Sequence, residues 1–65
     1  MPKNDVLRTK RFEANESQSD LAQAVGVSVA AISAYENGER VPRFEVMRKL
    51  AKHYDTTIEE LFSND

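Results

Sequence analysis

Side chains able to carry out catalytic or metal chemistry are scarce in this chain of 65 residues. It has no cysteine and a single histidine, His53, and its carboxylates are not clustered at metal-ligand spacing. A catalytic nucleophile needs a neighbouring base, and a metal site needs several ligands close together. A glycine-rich phosphate loop is also absent from the sequence. We therefore expect neither an enzyme nor a bound metal or cofactor, and we interpret His53 as a surface or interface residue.

Charge is the remaining chemical feature, and it is unevenly distributed. The formal net charge is −2, but from Asp55 onward there are four acidic residues and no Lys or Arg. The first 54 residues therefore carry nine basic and seven acidic residues, a net +2. Nucleic-acid-binding domains usually have a larger basic excess. The distribution is thus a mild bias toward phosphate binding and not a strong signature.

The elements that must position these residues belong to one small domain, residues 1–65. A chain of this length buries only about 60% of the surface that it exposes when unfolded. Because it has no disulfides, its core depends on packing or on a partner chain. No apolar run approaches the roughly 18 residues of a membrane span, and the first residues lack the apolar stretch of a secretory signal. We expect a soluble, cytoplasmic protein.

Apolar side chains spaced three and four residues apart predict helices in the first and last parts of the chain. Helix 1 is predicted over residues 5–14, capped by Asn4 or Asp5, and helix 4 over residues 43–54. Thr57 and Glu60 form a capping pair for a short helix 5. The predicted inward-facing residues are Leu7, Arg11 and Ala14 in helix 1, and Phe44, Met47, Leu50, Ala51 and Tyr54 in helix 4.

Two short helices joined by a tight turn are predicted in the middle of the chain. Ser17 and Asp20 form a capping pair for helix 2, over residues 18–25. Gly26 permits the turn because glycine adopts positive φ without strain. Ser28 can cap helix 3, which is predicted to run from Val29 to Asn37. The result is a helix-turn-helix arrangement over about residues 18–37.

Small, apolar and turn residues recur at fixed offsets in the run Ser17 to Ser28, at Ile32, in the segment Tyr35 to Gly38 and at Pro42. In this pattern, from about Leu7 to Phe62, the chain resembles the Cro and lambdoid repressor (Xre-type) family. The resemblance implies an all-α fold, a five-helix orthogonal bundle of the lambda-repressor-like DNA-binding type. It also implies a transcriptional regulator, a repressor, that binds a near-palindromic double-stranded DNA operator as a homodimer with helix 3 in the major groove.

The same resemblance implies roles for individual residues. Arg11 and Glu36 match the positions of a partly buried ion pair, the alternative being two unrelated solvated charges. Gln18 matches a position that contacts the DNA backbone, although an exposed helix residue explains it equally well. The other residues implied to lie against DNA are Ser28, Val29, Ala30, Ser33 and Ala34 at the start and on the outward face of helix 3, and Asn37, Arg40 and Arg43 after it.

The predicted outward face of helix 3 is unusual because it holds mostly Val and Ala instead of side chains that form bidentate hydrogen bonds with bases. Val and Ala can only contact thymine methyl groups or stay neutral. We therefore hypothesise an operator rich in thymine at the contacted positions, with DNA shape supplying part of the specificity. The alternative is that Val29, Ala30 and Ala34 form an apolar face that packs on another protein.

Two further positions are open from the sequence. Glu16 stands where the family normally has Leu, so either Phe12 or Phe44 fills the missing core contact or the corner between helices 1 and 2 is looser than usual. The apolar residues of helix 5 outnumber what a short helix needs for itself, which predicts a dimer interface at Ile58, Leu61 and Phe62. The alternative is that these residues close the core of the monomer.

Two other functions remain as alternatives. The negative total charge and the scarcity of polar side chains on the outward face of helix 3 favour a protein-binding module. Such a module would be an antitoxin or anti-regulator that uses the same fold. The chain could also be the DNA-binding domain of a longer regulator. The sequence shows no trailing linker, which argues mildly against this last alternative.

Overall fold

A computed structural model describes residues 5–62 of the chain. Within this range the regular elements are all helices, joined by turns and short loops. The five helices are α1 (Asp5–Glu13), α2 (Gln18–Val25), α3 (Val29–Glu36), α4 (Phe44–His53) and α5 (Ile58–Phe62). They agree with the predicted helices to within one or two residues at each end. Asn4, proposed as a cap for α1, lies outside the described residues. None of the helices within residues 5–62 is long and apolar enough to cross a membrane.

Local signals in the sequence set the ends of α2. The Ser17 hydroxyl accepts a hydrogen bond from the Asp20 backbone N–H, and the Asp20 carboxylate accepts one from the Ser17 N–H, each at 3.0 Å. This capping box satisfies two N–H groups that the first helical turn leaves free. The hydrogen bond from the Ser17 backbone N–H lowers the pKa of the exposed Asp20 carboxyl most, and the Ser17 side chain lowers it further. At the other end, Gly26 closes the helix with φ +76°.

The core forms where the inward faces of all five helices meet. Helix α2 packs against α3 and α4, and α1 packs against α3 and α5. Fully buried aliphatic side chains come from every helix, namely Leu7, Leu21, Ile32, Leu50 and Leu61. Removing a Leu side chain of this kind from a packed core costs about 2–5 kcal/mol. The core therefore fixes how α2 and α3 are held relative to the other helices.

Two of the predicted inward positions are wrong. Ala14 is exposed because α1 ends at Glu13, and the chain reverses at Asn15, which has φ 58°. Phe44 is the first residue of α4 and remains 65% exposed, with the Arg48 guanidinium 6.0 Å from its ring centroid. In both cases the helical spacing is correct, but the residue lies at a helix end that no neighbouring element covers.

Candidate nucleic-acid interface

The turn between α2 and α3 is held by backbone and side-chain hydrogen bonds. The N–H groups of Gly26 and Val27 both donate to the Ala22 carbonyl, at 2.8 and 3.0 Å. The Ser28 hydroxyl then accepts from the Ala31 N–H at 3.0 Å and caps α3. Val27 is half-buried and packs against the core. The first turn of α3 is therefore presented at a fixed angle to α2.

The outward surface of α3 is small and mostly apolar. Ser28, Val29 and Ala30 are exposed, Val29 to 44%, and Ser33 is partly covered. Ala34, in contrast, is only 9% exposed. The Glu39 and Arg40 N–H groups return to the Ala34 carbonyl, at 2.9 and 3.3 Å, so the chain folds back over this position. The prediction that Ala34 lies on the outward face is wrong, and the accessible surface belongs to the first half of α3.

Two arginines lie beside that first turn. The residues that line a groove of about 360 Å³ include Val27 and Ser28, from the turn before α3, and Arg40, Val41 and Arg43, from the segment after it. Both arginines are exposed, and the Arg40 guanidinium lies 5.7 Å from the centroid of the Tyr35 ring. The structure thus brings Arg40 and Arg43 to the same side of the protein as the start of α3. Their exposed guanidinium groups are suited to contact phosphates.

The same groove also contains one unfavourable charge for a phosphate ligand. Glu45, in the first turn of α4, lines it together with the two arginines. A carboxylate near the start of a helix is stabilised by the helix dipole. Glu45 was not among the residues predicted from the sequence, where its position shortly after Pro42 was the available signal.

Arg11 and Glu36 form a buried ion pair that ties α1 to the end of α3. Arg11 donates to the two Glu36 carboxylate oxygens, from Nε at 2.7 Å and from Nη2 at 3.2 Å. The side chains are 9% and 2% exposed. The hydrogen bond to Glu36 raises the pKa of the Arg11 guanidinium, while burial opposes that rise. The structure therefore places together the two residues that the family pattern predicts as a pair.

Gln18 is tied to this ion pair. Its Nε2 donates to Glu36 Oε1 at 3.1 Å, which links the start of α2 to the end of α3. An amide nitrogen carries two N–H donors, so one donor remains for another partner. The structure thus fixes where Gln18 lies, at the first turn of α2, and its predicted contact with the DNA backbone stays a prediction.

Asn37 and Arg8 extend the network to the surface. Asn37 caps α3; its Oδ1 accepts from Arg8 Nη2, and its Nδ2 donates to the Ser33 hydroxyl, each at 3.4 Å. Arg8 also lies 3.9 Å from the Glu36 carboxylate. Arg8 was not among the site residues predicted from the sequence. A signal was present, because Arg8 precedes Arg11 by three residues and so lies on a neighbouring part of the same helix face.

Glu16 resolves the open question about the corner between α1 and α2. Neither Phe12 nor Phe44 fills the space, since both are more than half exposed. Instead the Glu16 carboxylate accepts a hydrogen bond from the Tyr54 hydroxyl at 2.7 Å and lies 2.6 Å from His53 Nε2. Burial, together with the bond to Glu16, raises the pKa of the Tyr54 phenol. The corner is therefore joined to the end of α4 by polar contacts in place of an apolar one.

The predicted dimer residues of α5 differ in exposure. Leu61 is fully buried in the core of the monomer, so its assignment to a dimer interface is wrong. Its side chain points toward the core because α5 packs against α1 and α4. Ile58 and Phe62 are half-buried at the edge of the same core. These two residues are the part of the predicted surface that remains accessible.

Comparison with known proteins identifies the fold family. A helix-turn-helix family model matches residues 7–61. The cryptic phage CTXphi transcriptional repressor RstR of Vibrio cholerae is 38% identical over 58 residues, 89% of this chain and 52% of the repressor. The HTH-type transcriptional activator BcrR of Enterococcus faecalis is 36% identical over 62 residues, 95% of this chain and 30% of the activator.

A third relative is similar in size to this chain. An uncharacterized HTH-type transcriptional regulator of Methanocaldococcus jannaschii is 40% identical over 56 residues, which are 86% of this chain and 85% of the relative. By contrast, the chain spans about half the length of the Vibrio repressor and under a third of the Enterococcus activator. The match over residues 7–61 includes the α2–turn–α3 unit and the Arg11–Glu36 pair. The chain belongs to the Xre-type helix-turn-helix family, the family of DNA-binding regulators that includes Cro and the lambdoid repressors.

Proposed function

We propose that this chain is a sequence-specific transcriptional repressor that binds double-stranded DNA with α3 in the major groove. The observation that carries the proposal is the position of the exposed first turn of α3 beside exposed Arg40 and Arg43 on one side of the protein. A helix can enter the major groove when its first turn is accessible. Phosphate contacts from the arginines would then hold that helix in register.

The start of α3 adds a second attraction for DNA. The N-terminus of a helix presents free N–H groups and a partial positive charge, which attract phosphate oxygens. In α3 the Ser28 hydroxyl uses one of these groups, the Ala31 N–H. The remaining N–H groups and the two arginines supply a local attraction despite the net charge of −2. This local distribution supports DNA binding by a protein whose total charge is acidic.

We further propose that the protein binds as a two-fold dimer. A helix of eight residues such as α3 contacts only a few base pairs, so two copies are needed for specific affinity. Two recognition helices related by a two-fold axis lie about 34 Å apart and require a near-palindromic operator. The half-buried Ile58 and Phe62 of α5 are the candidate dimer surface. Repression is favoured over activation by the relatives that are named as repressors.

The first experiment is selection of binding sites from a random DNA library at moderate salt, followed by titration of the selected site at several salt concentrations. We expect a two-fold symmetric site whose affinity falls steeply with salt, because each neutralised phosphate releases counterions. The Arg40→Ala/Arg43→Ala variant should bind that site more weakly. The matched control, Lys49→Ala/Lys52→Ala, removes the same charge from the exposed residues of α4 and should bind as tightly as the native protein.

A second candidate, a protein-binding module of the antitoxin or anti-regulator type, is favoured by one observation. Three large apolar side chains are exposed between the start of α3 and the start of α4, namely Val29, Val41 and Phe44, the last two by 72% and 65%. Large exposed apolar side chains are common in protein interfaces. Failure to enrich any DNA site, or binding with little salt dependence, would favour this function over operator binding.

A further inference from the structure

The exposed part of α3 offers few hydrogen-bonding groups to a base. Val29 and Ala30 have none in their side chains, and the Ser28 hydroxyl, which accepts from the Ala31 N–H, offers a single O–H donor. Ser33 is partly covered, and its hydroxyl accepts from Asn37 Nδ2 at 3.4 Å. Within α3, therefore, the most accessible large side chain is an aliphatic one, Val29 at 44% exposure.

Asn37 caps the end of α3, and both polar groups of its amide side chain are already bonded. Its Oδ1 accepts from Arg8 and its Nδ2 donates to Ser33. An Asn that recognises adenine must direct both groups to the base. In this arrangement Asn37 is held as the cap of α3, so it is not available for a bidentate contact with a base.

The major groove has one apolar feature for such a surface, the 5-methyl group of thymine. We propose that Val29 is the specificity-determining residue of this protein and that it contacts the 5-methyl group of a thymine in each half of the operator. This inference rests on the proposed function, operator binding through α3. The same chemistry extends to 5-methylcytosine, which carries an identical methyl group at the same ring position.

The valines that line the groove beside α3 are less suited to this role. Val27 and Val46 are half-buried and pack against the core. Val41 is exposed, but it lies between Arg40 and Arg43 in the segment after α3, where the neighbouring side chains are suited to phosphates. Val29, by contrast, is the first residue of α3, the helix that is proposed to enter the major groove. It is therefore the valine that an inserted helix would place against base edges.

The test uses the site obtained by selection and removes only the methyl groups. Each symmetric pair of thymines is replaced in turn by deoxyuridine, and affinity is measured by titration. Loss of one buried methyl group should weaken binding about fourfold, and loss of one in each half-site about fifteenfold. Replacing uracil at that position with 5-methylcytosine, paired with guanine, tests whether the methyl group by itself recovers part of the affinity.

Two variants connect this effect to one side chain. Val29→Ala should bind the thymine site more weakly and lose the sensitivity to deoxyuridine, whereas Val41→Ala should retain that sensitivity. Both residues are exposed, so neither variant should change the melting temperature, which is measured as the folding control. If a site is selected but no thymine pair responds to deoxyuridine, or if Val29→Ala responds as the native protein does, the Val29 inference is overturned and operator binding stands. If no site is selected at all, both proposals fail.

Discussion

The buried ion pair between Arg11 and Glu36 makes a specific prediction about stability. Arg11→Met keeps much of the volume and the apolar stem of the side chain but removes the guanidinium. Glu36, whose side chain is 2% exposed, then loses two of its three hydrogen bonds, those at 2.7 and 3.2 Å from Arg11. The bond from Gln18 at 3.1 Å remains, and Arg8 remains 3.9 Å away.

The expected loss follows from the charge that is left behind. Removing one partner of a buried ion pair costs about 3–5 kcal/mol because the other charge stays buried without its partner. Since Gln18 and Arg8 still face the carboxylate, we expect the lower end, about 3 kcal/mol. A domain of this length has a total stability of about 3–10 kcal/mol. At about 4–8 °C for each kcal/mol, the melting temperature should fall by about 12–24 °C.

The assay is thermal and urea unfolding of the native protein and three variants. Arg8→Met is the matched control, because Arg8 is one-third exposed and its contact with Glu36 is long. It should cost less than about 1 kcal/mol. The double variant Arg11→Met/Glu36→Leu removes both charges and should recover much of the loss, since apolar replacement of a buried pair is often neutral or stabilising.

Two unfolding results would contradict this prediction. If Arg11→Met melts at the same temperature as Arg8→Met, the buried carboxylate is not destabilised by losing its partner. If the double variant is as unstable as Arg11→Met, the loss comes from packing or from the Glu16 carbonyl, which loses its 2.9 Å hydrogen bond from Arg11 Nη1 in both variants, and not from an unpaired charge. Either result would refute the explanation based on the burial of Glu36.

Three other predictions concern charge and protonation. Arg40→Ala and Arg43→Ala should each weaken binding to all DNA sequences by a similar factor and lower the salt slope by about 2, because each protomer of the proposed dimer loses one phosphate contact. A change confined to one base position would contradict phosphate contact. The raised pKa of Tyr54 contributes stability that is present below the unfolded pKa of about 10 and is lost as pH rises through the folded value. Tyr54→Phe should therefore reduce the loss of unfolding free energy at alkaline pH, measured by urea unfolding. Parallel pH curves for the variant and the native protein would argue against this role of Tyr54. The lowered pKa of Asp20 contributes stability that is present above about pH 4 and is lost as pH falls through the folded value. Asp20→Asn should therefore reduce the fall in melting temperature at acid pH. An unchanged fall in melting temperature would exclude a contribution of the Asp20 carboxylate.

Much of the local structure could be predicted from the sequence because the relevant signals lie within a few residues. The capping pair of Ser17 and Asp20, the cap at Ser28 and the positive φ of Gly26 all act within one helical turn or one tight turn. Each cap joins a side chain to backbone three residues away, and the φ of Gly26 is a property of that residue alone. The five helices follow from these signals and from apolar spacing. The Arg11–Glu36 pair came from family resemblance, since 25 residues separate its members.

The exposed surface could not be predicted in the same way. Apolar spacing shows which residues share a helix face, but in α3 nearly every position is small or apolar, so spacing does not distinguish the covered face from the open one. The segment after α3 covers Ala34 and leaves Val29 exposed. Fewer residues of α3 are therefore available to contact bases than the sequence predicted.

By itself, the sequence determined five helices, the caps of α2, α3 and α5, and the helix-turn-helix unit. The hydrogen bonds and backbone preferences that set these features act between near neighbours in the chain. Only the tertiary structure decided that Leu61 completes the monomer core and that Glu16 bonds to Tyr54 and His53. These contacts join residues about forty positions apart or depend on which helix covers which face. Burial and long-range pairing are properties of the packed arrangement, and local sequence patterns do not specify them.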